Sequence, residues 1–103
     1  MCIVCRGEDL TNIKKLHISG CDVVVSIPDI KGLRELKCFN CSSLTEIPKI
    51  DGLRKLDCSN CISLTKIPKI DSLQKLICYG CELLTEIPKI DSLQELNCYY
   101  CSS

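Results

Sequence analysis

The sequence predicts a solenoid in which short, similar coils stack along one axis. A segment of the form Leu-x-x-Leu-x-Cys recurs every 20 residues, at 33–38, 53–58, 73–78 and 93–98. A fixed period of this length is typical of repeat architectures. Apolar residues alternate within each copy, and an Ile-Pro step follows the first three of these four copies. At this period, 103 residues hold about five coils.

The strand of each coil is predicted from the alternation of apolar and polar residues. In the third repeat Leu56 and Cys58 are separated by one polar residue, which is the period of a strand with one buried face. A strand therefore covers roughly 55–58, with equivalents in the other coils. Two inward columns comprise Ile13, Leu33, Leu53, Leu73 and Leu93, and Leu16, Leu36, Leu56, Leu76 and Leu96.

The remainder of each coil is predicted to be an extended arm or a single turn of 3₁₀ helix. Proline follows isoleucine in every arm, and proline disfavours the α conformation of the residue before it. Asp51-Gly52 and Asp71-Ser72 are expected to turn the chain into the next strand. No coil buries its leucines alone, so the coils must stack, with strands about 4.8 Å apart.

The pattern Leu53-x-x-Leu56-x-Cys58-x-x-Cys61-x-x-Leu64 resembles the signature of the leucine-rich repeat family. The resemblance covers residues 13 to 101. The short unit is similar to the compact repeats, with an Ile-Pro or Leu-Pro arm, of some bacterial effectors and large-virus proteins. It implies a right-handed arc of coils, with a parallel β-sheet on the concave face and extended or 3₁₀ arms on the convex side. Most members of the family use the concave face to bind another macromolecule.

The domain organisation follows the repeat. Residues 1–12 form a degenerate half repeat, a candidate N-terminal cap, in which Val4 and Leu10 stay in register. Residues 13–103 form the solenoid, divided into 13–32, 33–52, 53–72, 73–92 and a truncated 93–103. The last coil carries no polar capping segment, and an uncovered strand edge tends to pair, which predicts homodimerisation through this coil.

Charge and hydropathy exclude several classes of partner. Thirteen basic and thirteen acidic residues give a formal net charge of zero, so no nucleic acid is expected as partner. There is no run of 18 apolar residues, and Arg6 interrupts the apolar start of the chain. We therefore expect no membrane association and no signal peptide, and a cytoplasmic protein.

Nine of the eleven cysteines form two columns at the repeat period. The pairs Cys38-x-x-Cys41 and Cys58-x-x-Cys61 have the spacing of a zinc site, and zinc there is the alternative interpretation. The first repeat, however, has Ile18 in the first cysteine column, and a reduced thiol packs well in an apolar core. The sequence therefore favours buried, reduced cysteines, with no metal or other cofactor.

Catalytic machinery is not expected. The only histidine, His17, falls in an exposed strand column, where a solvated side chain is the simpler interpretation. Asp51, Asp71 and Asp91 each precede a turn at the same place, so turn formation explains them better than acid–base chemistry.

The exposed strand positions predict a surface for a protein partner. They vary from coil to coil while the inward positions do not, and all four aromatic residues follow the strands along one rim. In the alternative interpretation of these aromatic residues, Phe39 packs locally, and Tyr99 and Tyr100 fold over the open end of the solenoid. The candidate partner-binding residues are Lys15, His17, Glu35, Lys37, Phe39, Lys55, Asp57, Lys75, Ile77, Tyr79, Glu95, Asn97, Tyr99 and Tyr100.

Overall fold

The computed structural model describes residues 4, 9–10 and 12–98 of the chain. Five short strands form one parallel sheet in chain order, β1 to β5. Neighbouring strands pair with an offset of 20 residues, so that Leu16 lies opposite Leu36 and Leu36 lies opposite Leu56. The strands are β1 Lys15–His17, β2 Glu35–Lys37, β3 Lys55–Asp57, β4 Lys75–Ile77 and β5 Glu95–Asn97. The predicted parallel β-solenoid is confirmed.

Each coil consists of a strand, two turns, an extended arm and a turn back into the next strand. None of the described residues is helical, as expected for arms that contain an Ile-Pro step. The described residues make about four turns of the solenoid, and β5 begins a further coil. Backbone bonds continue past the strands: Cys38 N donates to Asp57 O, and Cys58 N donates to Ile77 O, both at 2.8 Å.

The turns into the strands confirm the predicted role of the Asp-Gly and Asp-Ser pairs. Leu53 N donates to Ile50 O at 3.2 Å across Asp51-Gly52, and Leu73 N donates to Ile70 O at 3.0 Å across Asp71-Ser72. A second special position follows each of the strands β1 to β4. Gly20, Asn40, Asn60 and Gly80 occupy one column and all have positive φ, between 58° and 75°. Glycine and asparagine are the residues that adopt this left-handed conformation most readily.

The core is one continuous stack of inward columns. Leucine and isoleucine from both the strand and the arm side are buried, as are seven cysteines. At the ends of the stack the same columns open, because Ile13 and Leu93 are only half-buried and Leu96 is exposed. The end coils thus bury less apolar surface than the central coils.

Serine hydroxyls join neighbouring coils along the turns. Ser63 Oγ donates to Ser42 O, and Ser72 Oγ donates to Leu53 O, both at 2.7 Å. Ser92 Oγ lies 2.6 Å from both Asp71 O and Leu73 O. These bonds satisfy carbonyl groups in the turns, where the parallel ladder cannot reach them.

The N-terminal half repeat is described only in part. Val4 and Leu10 are half-buried and pack against the core, whereas Asp9 and Asn12 are exposed; the other residues of the predicted cap lie outside the described part. Across the described residues, no helix has the length and apolar character needed to span a membrane.

Candidate partner-binding surface

The strands place two columns of side chains on the face of the sheet that points away from the core, which we call the outward sheet face. It consists of Lys15, His17, Glu35, Lys37, Lys55, Asp57, Lys75, Ile77, Glu95 and Asn97. Because every strand pairs in register, these ten side chains form two straight rows across five coils. The structure therefore brings all the predicted strand positions together on one surface.

Glu35 departs from the predicted exposure. It is only 9% exposed, whereas its neighbours in the same row, Lys15 and Lys55, are exposed. The His17 Nε2 atom lies 2.6 Å from Glu35 Oε2, and the Lys55 Nζ atom lies 3.9 Å from Glu35 Oε1. A carboxylate flanked by side chains from both adjacent coils loses its access to solvent. His17, predicted as a solvated residue, is half exposed but also bonds across the sheet.

The hydrogen bond with His17 holds the pKa of Glu35 below its ordinary value. The charges of Lys37 and Lys15 lower that pKa further, while partial burial opposes the effect. The carboxylate accepts this bond only when Nε2 carries the imidazole proton, so the contact also sets the tautomer of a neutral His17.

Acidification is expected to weaken the fold through Glu35. Because its folded-state pKa lies below the ordinary 4.5, its ionised form contributes stability above that pH. This contribution is lost as the pH falls through the folded-state pKa. Chemical denaturation from about pH 6 to about pH 3 should show the stability advantage of wild type over Glu35→Gln shrinking. Glu86→Gln, which alters an exposed carboxylate on an arm, is the control and should show no such convergence.

The centre of the outward sheet face contains a shallow depression of about 90 Å³. Lys37, Lys55, Asp57, Lys75 and Ile77 line it, together with Glu35 and the edge of Leu56. Ile77 is half-buried and is the apolar member of a row whose other residues are His17, Lys37, Asp57 and Asn97. The depression thus combines several charges with one aliphatic contact.

The predicted aromatic rim lies two residues past the ends of the strands. Phe39 is half-buried, and Tyr79 is 39% exposed. Ser59, from the coil between them, is buried, and its hydroxyl donates to Asp57 Oδ1 at 2.7 Å. The Ser59 hydroxyl therefore orients the Asp57 carboxylate. Tyr99 and Tyr100 lie outside the described residues.

Further apolar side chains beside the rim were missed by the sequence analysis. Val23, Ile62 and Leu83 are 60%, 47% and 54% exposed, and each lies in the second turn after a strand. The equivalents of Ile62 include the polar residues Ser42 and Glu82, and Ser43 and Ser63 occupy the column of Val23 and Leu83. The polar residues in these columns were the sequence signal that could have indicated the exposure of the three apolar side chains. Together with Tyr79 they make this edge of the solenoid more apolar than an ordinary surface turn.

The cysteine columns face the interior, as predicted, for every described cysteine except Cys98, which is exposed. The described cysteines are reduced thiols, and Cys61 Sγ donates to Cys38 O at 2.9 Å, as Cys81 Sγ does to Cys58 O at 3.0 Å. These bonds require the thiol proton. The hydrogen bond with the Cys61 thiol, followed by burial, raises the pKa of Cys38.

Metal ligation was the alternative interpretation of these cysteines. Within the described part of the chain, no group of three or more histidine, cysteine, aspartate or glutamate side chains is arranged to hold a metal ion. The predicted zinc set, Cys38, Cys41, Cys58 and Cys61, therefore gains no support from this geometry.

Comparison with known proteins does not assign the chain to a family, so its class is inferred from its fold. No family model, curated protein or solved structure matches it. The fold and the outward sheet face define a repeat protein of the parallel β-solenoid class.

Proposed function

We propose that the chain is a non-catalytic protein-binding module of the leucine-rich repeat type, whose partner lies across the outward sheet face and the adjoining rim. The observation that carries this proposal is the contrast between two sets of positions on the same strands. The inward positions repeat leucine, whereas the outward positions change in charge and polarity from coil to coil. Packing does not constrain the outward positions, so they are available for recognition.

The rim supports a protein as the partner. Tyr79 and Leu83 offer exposed apolar area in one coil, and Ile62 offers it in the preceding coil. Exposed apolar side chains that cluster beside a polar face are typical of protein interfaces, where aromatic residues often provide much of the binding energy. Mixed charges on the sheet would then set the register and the choice of partner.

The rim is tested by replacing Phe39 and Tyr79 with alanine. Protein capture from extracts of the source cells, quantified by mass spectrometry, should fall at least about tenfold for the double variant. The matched control is Glu46→Ala with Glu86→Ala, because these exposed residues occupy the arms of the same two coils. Circular dichroism should show that both variants remain folded. Capture that is equal for the two double variants would refute binding through the rim.

A further inference from the structure

Lys55 and Lys75 form the one like-charged contact in the first row of the outward sheet face. The row consists of Lys15, Glu35, Lys55, Lys75 and Glu95. Opposite charges face each other in the other three neighbouring pairs. In-register neighbours lie about 4.8 Å apart at their Cα atoms, and like charges directly opposite each other are unfavourable. The second row of this face contains no adjacent pair of equal charges.

The nearby carboxylates neutralise this pair incompletely. Glu35 makes its short contact with His17, and its other oxygen lies 3.9 Å from Lys55 Nζ. Lys75 Nζ lies 3.2 Å from Glu95 Oε2, but that glutamate is 61% exposed. A surface ion pair of this kind is weak. The Lys55 and Lys75 side chains are 59% and 38% exposed, so both remain accessible to an acidic group of a partner.

Two depressions adjoin at the lysine pair. The central one contains Ile77 and Asp57, and a second depression on the other side of Lys55 and Lys75 is lined by Gln74, Gln94 and Glu95. Ile77 follows Lys75 by two residues on the same strand, so both side chains point to the same face, about 6.7 Å apart. An extended peptide places alternate side chains at the same spacing.

We propose that Lys55 and Lys75 bind the carboxylate of an Asp or Glu in an extended segment of the protein partner. The side chain two residues away in that segment is apolar and packs on Ile77. The inference rests on the proposed function, and it specifies the motif that the surface recognises as acidic-x-apolar. Gln74 and Gln94 line the adjoining depression, and their amide groups can donate to and accept from the backbone beside the acidic residue.

The charge pattern favours an isolated carboxylate over a nucleic-acid backbone. Glu35, Asp57 and Glu95 surround the lysine pair, so a continuous row of phosphates crossing the face would meet like charges on three sides. A protein segment with one acidic residue avoids those contacts. Ile77 also has no use in binding a phosphate backbone.

The experiment is a selection of random heptapeptides displayed on phage against the folded full chain. Wild type is compared with Lys55→Gln/Lys75→Gln, because glutamine removes both positive charges without introducing negative ones. Lys49→Gln/Lys69→Gln is the matched control, because these lysines are also stacked in adjacent coils but lie on the exposed arms. Ile77→Asn introduces the residue that the equivalent position of β5 carries, at Asn97. Thermal unfolding confirms that each variant folds.

Wild type and the arm variant should enrich peptides with an acidic residue two positions from an aliphatic or aromatic residue. The Lys55→Gln/Lys75→Gln variant should lose the acidic requirement and bind the enriched peptides at least about tenfold more weakly. Ile77→Asn should lose the apolar requirement and keep the acidic one. Enrichment of the same acidic motif by wild type and the Lys55→Gln/Lys75→Gln variant would overturn the inference.

The remaining outcomes separate this inference from the proposed function. Peptides without an acidic residue that depend on Ile77 and the rim would overturn the inference and leave the proposed function standing. Peptides that bind all variants equally, including Phe39→Ala/Tyr79→Ala, would overturn both. A selection without any enriched motif would overturn the inference alone, since the capture experiment tests the rim independently. Binding of a labelled oligothymidylate that is lost in Lys55→Gln/Lys75→Gln would assign the lysines to phosphate and also overturn it.

Discussion

Leu84→Ala is expected to lower the free energy of unfolding by about 3 kcal/mol, which would be among the largest effects of any single substitution in this chain. Leu84 is completely buried between the strand and the arm of its coil. Its replacement removes apolar contacts and leaves a cavity that the rigid stack of neighbouring coils cannot close. A solenoid of this size has no second core that could compensate.

The matched control is Leu83→Ala, the same chemical change at the preceding residue. Leu83 is 54% exposed, so we expect its replacement to change stability by less than about 0.5 kcal/mol. Urea denaturation followed by circular dichroism measures both values. Similar losses for the two variants would show that the inward and outward positions of this turn are misassigned.

Much of the fold could be predicted because burial acts on columns rather than on single residues. Leu36, Leu56 and Leu76 recur at the repeat period and are all buried, and the Asp-Gly and Asp-Ser pairs make the predicted turns. Each coil must bury the same positions, so the same apolar pattern recurs along the sequence. The positions of Gly20, Asn40, Asn60 and Gly80 carried a similar signal, since glycine and asparagine tolerate positive φ.

The candidate surface could be predicted in position but not in its interactions. Alternation within the strand indicates which residues point outward, but not which side chains meet across coils. The burial of Glu35 depends on the orientations of His17 and Lys55, which the sequence pattern does not determine. The exposure of Ile62 and Leu83 was missed for a different reason. Both residues are apolar, and only the polar residues at equivalent positions, such as Ser42 and Ser63, indicate that these positions face solvent.

The separation of core and surface gives the molecule an adaptable design. Substitutions on the outward sheet face alter charge without touching the inward leucines, because successive strand residues point to opposite faces. Lys55 and Lys75 illustrate the consequence, since their unfavourable contact is tolerated by a core that lies entirely beneath it. Most positions of the outward sheet face can therefore change without altering the packing of the core, with the part-buried contacts of Glu35 as the exception.

Cys58 is expected to react with N-ethylmaleimide at least about 1,000-fold more slowly than Cys98. The two residues occupy the same column, but Cys58 is buried and Cys98 is exposed. The hydrogen bond with the Cys81 thiol and burial raise the pKa of Cys58, so the reactive thiolate is scarce as well as inaccessible. Modification of Cys58 must then await opening of the stacked coils, which a stable core permits only rarely.

The measurement is a time course of labelling followed by peptide mass spectrometry, with a denatured sample in which the two cysteines should react at similar rates. Comparable rates in the native protein would mean that the coils open locally and that the cysteine columns are not a packed core. The labelling rate in a native sample treated with a chelator distinguishes protection by bound zinc from protection by packing. Zinc held by Cys38, Cys41, Cys58 and Cys61 would protect these thiols only until it is removed, so chelation would accelerate their labelling. Thiols protected by packing have no such dependence, because their shielding comes from the leucines and isoleucines around them.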